Sequence, residues 1–425
     1  MTKLIKTSKH STKFANIGKQ DMLSVFLADY NDAKWWFVDY LWNNQIHWGD
    51  NKSLDIKNNQ FDVPSFISTV DIAFTTDISA RAIKRASSEA LDIIKSQTQK
   101  RKQQLYILNK LTLQNNTIDA IKLQIKIDSK PLTKPTRTSD NEFAKLDSNC
   151  CEFIPNKTNE FDGWLKLKSI GGKYGHIYIP IKYTKHSNNL KKKGYEMMTS
   201  WQISDKLVSS TWEVERQPST GTKIVGADQG MKTCLSLSDS QTTGCCPHGH
   251  DLDSITTKLA RQKRGSKAFA RTSAHRTNYV NWSINQLNLY DVKELRLEKL
   301  FQMRKGQNVG NKLSHWTYTQ INAQIKSRCA DLGVLVKEQS PVYRSQRCSD
   351  CGWVQKTNRI KKEFICKHCG ATHDADINGA LNHVVDLFPL PYRFFQLNLN
   401  KSGFFWKESG LYYSSGQEIT VPDVD

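Results

Sequence analysis

At 425 residues and 48.7 kDa the chain exceeds what one hydrophobic core usually organises, so two or more domains are expected. Lysine and arginine number 61 against 41 acids, a formal charge of +20 that implies a polyanionic partner, nucleic acid foremost. No apolar run reaches a membrane span and the opening MTKLIKTSKHSTKF lacks the apolar core of a signal peptide, which excludes a membrane partner and predicts an intracellular protein, in the cytoplasm or nucleoid if the source is a prokaryote or phage.

From Asp21 to Asn44, Leu23, Phe26, Leu27, Tyr30, Phe37, Val38 and Leu41 recur at three- and four-residue intervals and predict an amphipathic helix. A polar loop is expected to about residue 70. Residues 77–105 predict a second long helix, strongly basic through Arg81, Lys84, Arg85, Lys95, Lys100, Arg101 and Lys102. Such a run is either a solvated face or a phosphate-contacting one; given the net charge, Arg81, Lys84 and Arg85 are candidates for nucleic-acid contact. Between about 117 and 215 the segments IDAIKLQIKID, GWLKLKSI, GHIYIPIKY, TSWQISDKLV and STWEVERQP alternate apolar and polar residues between turn signals, which predicts an antiparallel β-barrel or sandwich. Residues 128–160, rich in Pro, Thr, Ser and Asn, read as a loop within it.

Past Thr222 the run KIVGADQGMKTCLSLSD predicts a strand carrying Asp228, a turn at Gly230 and a second strand. Residues 254–290 contain no Asp or Glu and predict helices with a cationic face, on which Lys258, Arg261, Lys263, Arg264, Lys267 and Arg271 are further nucleic-acid candidates. VKELRLEKL reads as a strand ending near Glu298, residues 316–333 as a helix and VLVKEQ as another strand.

Two Cys-x-x-Cys knuckles follow, Cys348/Cys351 and Cys366/Cys369, a spacing that suits one tetrahedral structural Zn²⁺. Gly352 and Gly370 each follow a second cysteine, where a tight turn needs positive φ. The remaining cysteines are scattered, as in a reducing compartment. CCPHGH (Cys245, Cys246, His248, His250) is either a second metal site or a polar surface loop; without knuckle spacing, the loop is the better reading, as it is for Cys150-Cys151.

After the ribbon, HDADINGALN reads as a helix opening on an acidic cluster. Taken singly, Asp228 is a turn residue, Glu298 a surface charge and Asp376 a helix cap. Taken together, two strand acids and one at a helix start have the order expected of an RNase H-like nuclease. Three such carboxylates would need divalent cations, and two Mg²⁺ roughly 4 Å apart would suit phosphodiester cleavage.

GADQGMKT, LRLEKL, PVYRSQRCSDCG, FICKHCG and HDADINGALN, in this order, resemble the split RuvC nuclease motifs and embedded zinc ribbon of the TnpB family, which is related to Fanzor proteins and compact type V CRISPR effectors. The match is specific over about residues 222–383. It implies an α/β and β multidomain chain: an RNase H-like (RuvC) domain with an inserted four-cysteine zinc ribbon, preceded by a β-barrel wedge domain interrupted by a helical recognition domain. The implied boundaries are 1–18 for the first wedge strand, 19–115 for the helical domain, 116–218 for the barrel, 219–344 and 373–390 for the nuclease, and 345–372 for the ribbon. The tail 391–425 has no assigned role. By resemblance Asp228, Glu298 and Asp376 are the catalytic, Mg²⁺-holding acids and Asp374 a capping or secondary residue. Lys299 and Gln229 depart from the family pattern, where an acid and Leu are usual. The implied partners are a guide RNA and double-stranded target DNA, with the chain a monomer or homodimer on the RNA, and the implied activity is RNA-guided DNA cleavage beside a short flanking motif. Two other readings remain open: a guide-dependent repressor that binds without cutting, which loss of an acid would favour, and a plain zinc-ribbon DNA-binding protein.

Overall fold

A computed structural model describes residues 2–44, 76–113, 116–130, 132–139, 142–156, 160–300, 315–391 and 394–419. It divides into two compact units, Ile5–Val214 and Met1–Leu4 with Glu215–Asp425. The loop expected to about residue 70 lies outside the described residues.

In the first unit, β1 (Thr2–Ser11) precedes α1 (Ile17–Asn44), whose seven periodic apolar residues are all buried. α2 (Ala80–Leu113) packs along it, and the two are joined by a buried ion pair. Lys34 Nζ lies 3.6 Å from Glu89 Oε2 and donates to the Phe143 carbonyl at 2.6 Å, while Tyr30 Oη donates to Glu89 Oε1 at 2.6 Å. Desolvation lowers the Lys34 pKa to about 8, since burial disfavours its charged form.

Contrary to the period-two reading, IDAIKLQIKID forms a helix, α3 (Thr117–Asp128). Ile118, Ile121 and Ile125 also recur at helical spacing, so the pattern alone was ambiguous, and local capping decides it. The Asn116 side chain accepts from the Asp119 N–H, Asp119 and Lys126 suit the two ends of the helix dipole, and Arg101 donates to the carbonyls of Ile127, at 2.8 Å, and Lys130. Arg101 is therefore committed to tying α2 to α3, and the helical part runs to residue 128 instead of 115.

The β part also differs from expectation. The segment read as a loop contains β2 (Ala144–Leu146) and β3 (Cys151–Pro155). With β4 (Gly163–Leu167), β5 (Ile177–Ile181), β6 (Glu196–Ile203) and β7 (Leu207–Arg216), they form two sheets, ordered β1-β7-β6-β2 and β3-β4-β5. No ladder joins these sheets among the described residues, so there they form a two-sheet pair, the sandwich alternative of the expected barrel or sandwich. The short helix α4 (Lys185–Lys192) links β5 to β6. Leu165, Ile177, Trp201 and Val208 share one core with Phe26 and Tyr30 of α1, which explains why helical and β segments form one unit.

The second unit is built on the sheet β11-β10-β8-β9, with β8 (Lys223–Asp228), β9 (Ser236–Leu237), β10 (Val292–Glu298) and β11 (Leu335–Gln339). β10 runs parallel to both β8 and β11, and β9 is antiparallel to β8. Parallel neighbours need crossovers, supplied by α5 (Leu252–Ala260) and α6 (Lys267–Gln286) between β8 and β10, and by α7 (Tyr318–Leu332) before β11. These helices cover one face through Ile255, Tyr279, Ile284, Ile321 and Ile325. α8 (Ala375–Val384) also packs on the sheet, mainly against β8.

The ribbon strands β13 (Arg359–Ile360), β14 (Glu363–Ile365) and β15 (Thr372–Asp374) lead directly into α8. The tail is part of this region and not a separate segment. β12 (Trp353–Val354) of the first knuckle pairs with β16 (Phe404–Trp406), which pairs with β17 (Leu411–Tyr412). Val354, Phe394, Phe404, Trp406, Leu411 and Ile419 make a core of their own.

α8 approaches β8 so closely that a Cβ at Gly226 would lie 2.0 Å from the Ala380 carbonyl oxygen. Backbone cannot yield as a side chain can, so Gly226→Ala is expected to cost about 1–3 kcal/mol in a denaturant titration, as overpacking does. A surface Ala substitution at Lys223 on the same strand should leave the midpoint within about 0.5 kcal/mol.

Candidate active site

β8 and β10 are paired so that Leu297 stands opposite Ala227, and each strand continues by one residue, to Asp228 and Glu298. Parallel register thus places two carboxylates side by side at the C-terminal ends of adjacent strands, where open α/β sheets present their sites. A carboxylate oxygen of each lies within 4.8 Å of the other and of a ring nitrogen of His383 on α8.

Asp228 is buried, and its pKa is pushed up to about 7 by desolvation first and by the charge of Asp376 second, with Arg359 pulling the other way. Glu298, half-buried, is pushed up to about 8 by desolvation and by Asp228, against a backbone N–H bond from Gln229. Among the described residues, no cationic side chain is hydrogen-bonded to either acid. His383, 1% exposed, is pushed down to about 3 by burial and by the positive charge of Arg344, so its imidazole is neutral near pH 7.

Asp376 is the second residue of α8 and close enough to raise Asp228, yet outside the Asp228–Glu298–His383 group. Its carboxylate accepts from Arg359 Nη2 at 2.7 Å and lies 3.6 Å from Lys362 Nζ, both cations coming from the ribbon. Asp374 is the helix cap, its Oδ1 accepting from the N–H groups of Asp376 and Ile377. Gln229, which replaces a usual Leu, donates through Nε2 to Asn322 at 3.2 Å, and its amide oxygen is buried without a protein partner.

The four ribbon cysteines come together with all sulfurs within 4.8 Å; Cys348 and Cys369 are 3.8 Å apart, Cys351 and Cys366 3.6 Å. A tetrahedron with Zn–S bonds of about 2.3 Å has edges of roughly 3.8 Å, so this set fits zinc. Burial pushes the Cys348 thiol up to about 11 and raises Cys351 further, so without a cation these thiols stay protonated. Each knuckle closes in the same way: Gly352 N–H donates to Cys348 O and Gly370 N–H to Cys366 O, both at 3.0 Å, with φ of +82° and +77°. The CCPHGH residues do not form a comparable group among the described residues.

Several residues that hold the site together had no sequence signal of their own. Asn378 and Asn382, one helical turn apart on α8, both donate to the Arg347 carbonyl, and Asn378 Oδ1 accepts from the Ser349 N–H. Arg344 donates to the Asn382 carbonyl and Arg347 to its side chain. Asn358 spans the knuckles, donating to Gln346 O and accepting from Lys367 N–H. The motif Asn-x-x-x-Asn could have suggested such a clamp, since i, i+4 residues share a helix face.

The basic candidates are spread over two surfaces. Arg81 and Lys84 are exposed on α2 and line, with the half-buried Arg85, a concavity of about 290 Å³ that also includes Asp147 and Asn149; Arg85 lies 3.6 Å from Asp147. Lys258, Arg261, Lys263, Arg264, Lys267 and Arg271 are exposed from the end of α5 into α6.

The raised pKa values have a signed consequence. Between about pH 4 and the folded-state values, the folded chain holds protons that the unfolded chain has released. Their stabilising contribution is complete below about pH 4 and is lost as pH rises through about 7 to 8. With zinc loaded and other divalent cations withheld, the melting temperature is expected to fall from pH 5 to pH 8.5. Asp228→Asn with Glu298→Gln should flatten that fall and raise stability at pH 8 by about 1–3 kcal/mol.

The profile of the Cas12f1-like TNB domain matches residues 318–383, which span α7, β11, the ribbon and α8. The chain is 28% identical over 148 residues to a CRISPR-associated endodeoxyribonuclease Cas12f1 of Sulfoacidibacillus thermotolerans, covering 34% of each protein. It is 30% identical over 84 residues to a TnpB-like protein of Aquifex aeolicus, covering 19% of this chain and 28% of that one. The matched stretch is thus about a third or less of either relative's length. A solved Cas12f1–sgRNA–target DNA complex overlays 90% of this chain and 99% of that protein with 14% identity and a TM-score of 0.45. No described helix is long and apolar enough to cross a membrane. Over residues 318–383 by profile, and over about a third or less of its length by sequence, the chain is similar to Cas12f1 and TnpB-like proteins.

Proposed function

We propose that the chain is an RNA-guided DNA endonuclease that finds its target beside a short flanking motif and hydrolyses phosphodiester bonds at Asp228, Glu298 and Asp376. The observation that carries this reading is the desolvated carboxylate pair at the ends of β8 and β10, with no cationic side chain hydrogen-bonded to it among the described residues and a third acid at the start of α8. A structural ion pair would include its counter-charge, whereas an acid pair whose pKa values are raised by desolvation and by neighbouring acids is suited to mobile cations.

In this reading the nuclease unit is RNase H-like, with the four-cysteine cluster as its structural zinc site and the three acids as oxygen ligands. Two Mg²⁺ held there would supply a nucleophilic water at neutral pH and charge stabilisation for the leaving oxygen. The protein's own part is positional: strand register fixes Asp228 and Glu298, and the Asp374 cap fixes the first turn of α8 and hence Asp376. Arg359 and Lys362 neutralise Asp376 and lie where a scissile phosphate beside that acid would meet them. The exposed cations of α2 and of the α5–α6 segment act on nucleic-acid backbones, so base pairing with the guide supplies the sequence specificity.

The test is cleavage of a plasmid library with randomised flanks by protein copurified with its native flanking RNA. Guide-directed cutting that requires Mg²⁺ is expected, with a loss on the order of 10³-fold, about 4 kcal/mol of barrier, in Asp228→Ala. Binding of the guided target by wild type without any cutting would replace this reading with that of a repressor. Absence of copurifying RNA would refute it outright.

A further inference from the structure

The sequence motifs assign nothing to His383, yet it occupies a demanding position. It lies on α8 two turns beyond Asp376, is 1% exposed, and brings a ring nitrogen within 4.8 Å of carboxylate oxygens on both Asp228 and Glu298. Its Nδ1 lies 3.4 Å from Oε1 of Gln339, the β11 residue in register with Glu298. With Nδ1–H directed at that amide oxygen, Nε2 keeps the lone pair. Metal-bound histidines are generally oriented this way, the second nitrogen donating to a carbonyl or carboxylate. Among the described residues no hydrogen bond to the ring's other nitrogen is present.

We infer that His383 supplies a nitrogen ligand to a divalent cation held between Asp228 and Glu298, making this an O,O,N set that takes Mn²⁺ or Co²⁺ ahead of Mg²⁺. The inference rests on the proposed reading of these acids as cation ligands. At bond lengths of about 2.1 Å, adjacent donors on an octahedral ion are about 3.0 Å apart, so the three side chains close by up to about 1.8 Å on binding. A neutral imidazole favours first-row transition ions over Mg²⁺, Co²⁺ more strongly and Mn²⁺ more modestly, since Mg²⁺ prefers carboxylate, carbonyl and water. The ligand also explains why α8 is held by so many polar contacts: it carries donors to the cations at two heights.

The experiment uses the full-length, zinc-loaded protein titrated with Mn²⁺ and followed by electron paramagnetic resonance, with pulsed measurements for nitrogen coupling. Bound Mn²⁺ in the wild type is expected to show imidazole nitrogen modulation. His383→Leu should abolish it and weaken Mn²⁺ at least tenfold, while Mg²⁺ affinity, read by competition, changes less than twofold. Because a buried Leu could disturb folding, His383→Asn is measured alongside, and the wild-type spectrum is decisive without either variant. Mn²⁺ binding that Asp228→Asn abolishes but that shows no nitrogen modulation, or modulation that survives in His383→Leu, would overturn the assignment of His383 and leave the cation site standing. Mn²⁺ binding indifferent to Asp228→Asn would overturn the cation site itself, and the histidine ligand with it.

Discussion

Helix α8 approaches strand β8 at a distance set by the absence of a side chain at Gly226, where a Cβ would lie 2.0 Å from Ala380 O. That approach puts Gly379 against the Asp228 carboxyl, His383 beside Gly226, and Asp376 within electrostatic reach of Asp228. It also fixes where the ribbon can go, because Asn378 and Asn382 of the same helix hold the chain entering the first knuckle. The tail in turn packs on that knuckle: Gly403 lies against the Trp353 ring, and Trp406 O accepts from Arg347. A single close packing contact thus organises the sheet edge, the cysteine knuckles and the tail.

The electrostatics follow from that geometry. Two acids at the ends of neighbouring buried strands must lose water, and desolvation is the largest cause of both raised pKa values. Asp376 differs because Arg359 and Lys362 reach it from β13 and the turn after it, both within the four-cysteine ribbon. The ribbon therefore does more than hold its own fold: it carries the two cations that stand beside the third acid.

Much of this was legible because motif residues keep their chemistry wherever the fold puts them. Cys348, Cys351, Cys366 and Cys369 are paired by local spacing, and Asp228, Glu298 and Asp376 lie in segments whose strand or helix character is strong. The segment Ile118–Asp128 misled because its alternation and its helical spacing coincide, and the deciding contacts come from Asn116 and Arg101 outside it. The tail could not be read because β16 and β17 are two or three residues long and acquire meaning only through a partner strand some fifty residues earlier. His383 was equally silent: one imidazole in a helix acquires a role only from Gln339, Asp228 and Glu298, three positions on three other strands.

The spacing of those strands along the chain has a consequence for synthesis. Asp228 and Asp376 are 148 positions apart, so at about 5–20 residues per second β8 leaves the ribosome roughly 7–30 s before α8 can dock on it. During that interval the hydrophobic face that α8 will cover and an unpaired strand edge are open to solvent. Until α8 is made, the sheet edge carries Asp228 and Glu298 without Asp376 and His383, so the acid cluster is among the last features of the unit to be completed.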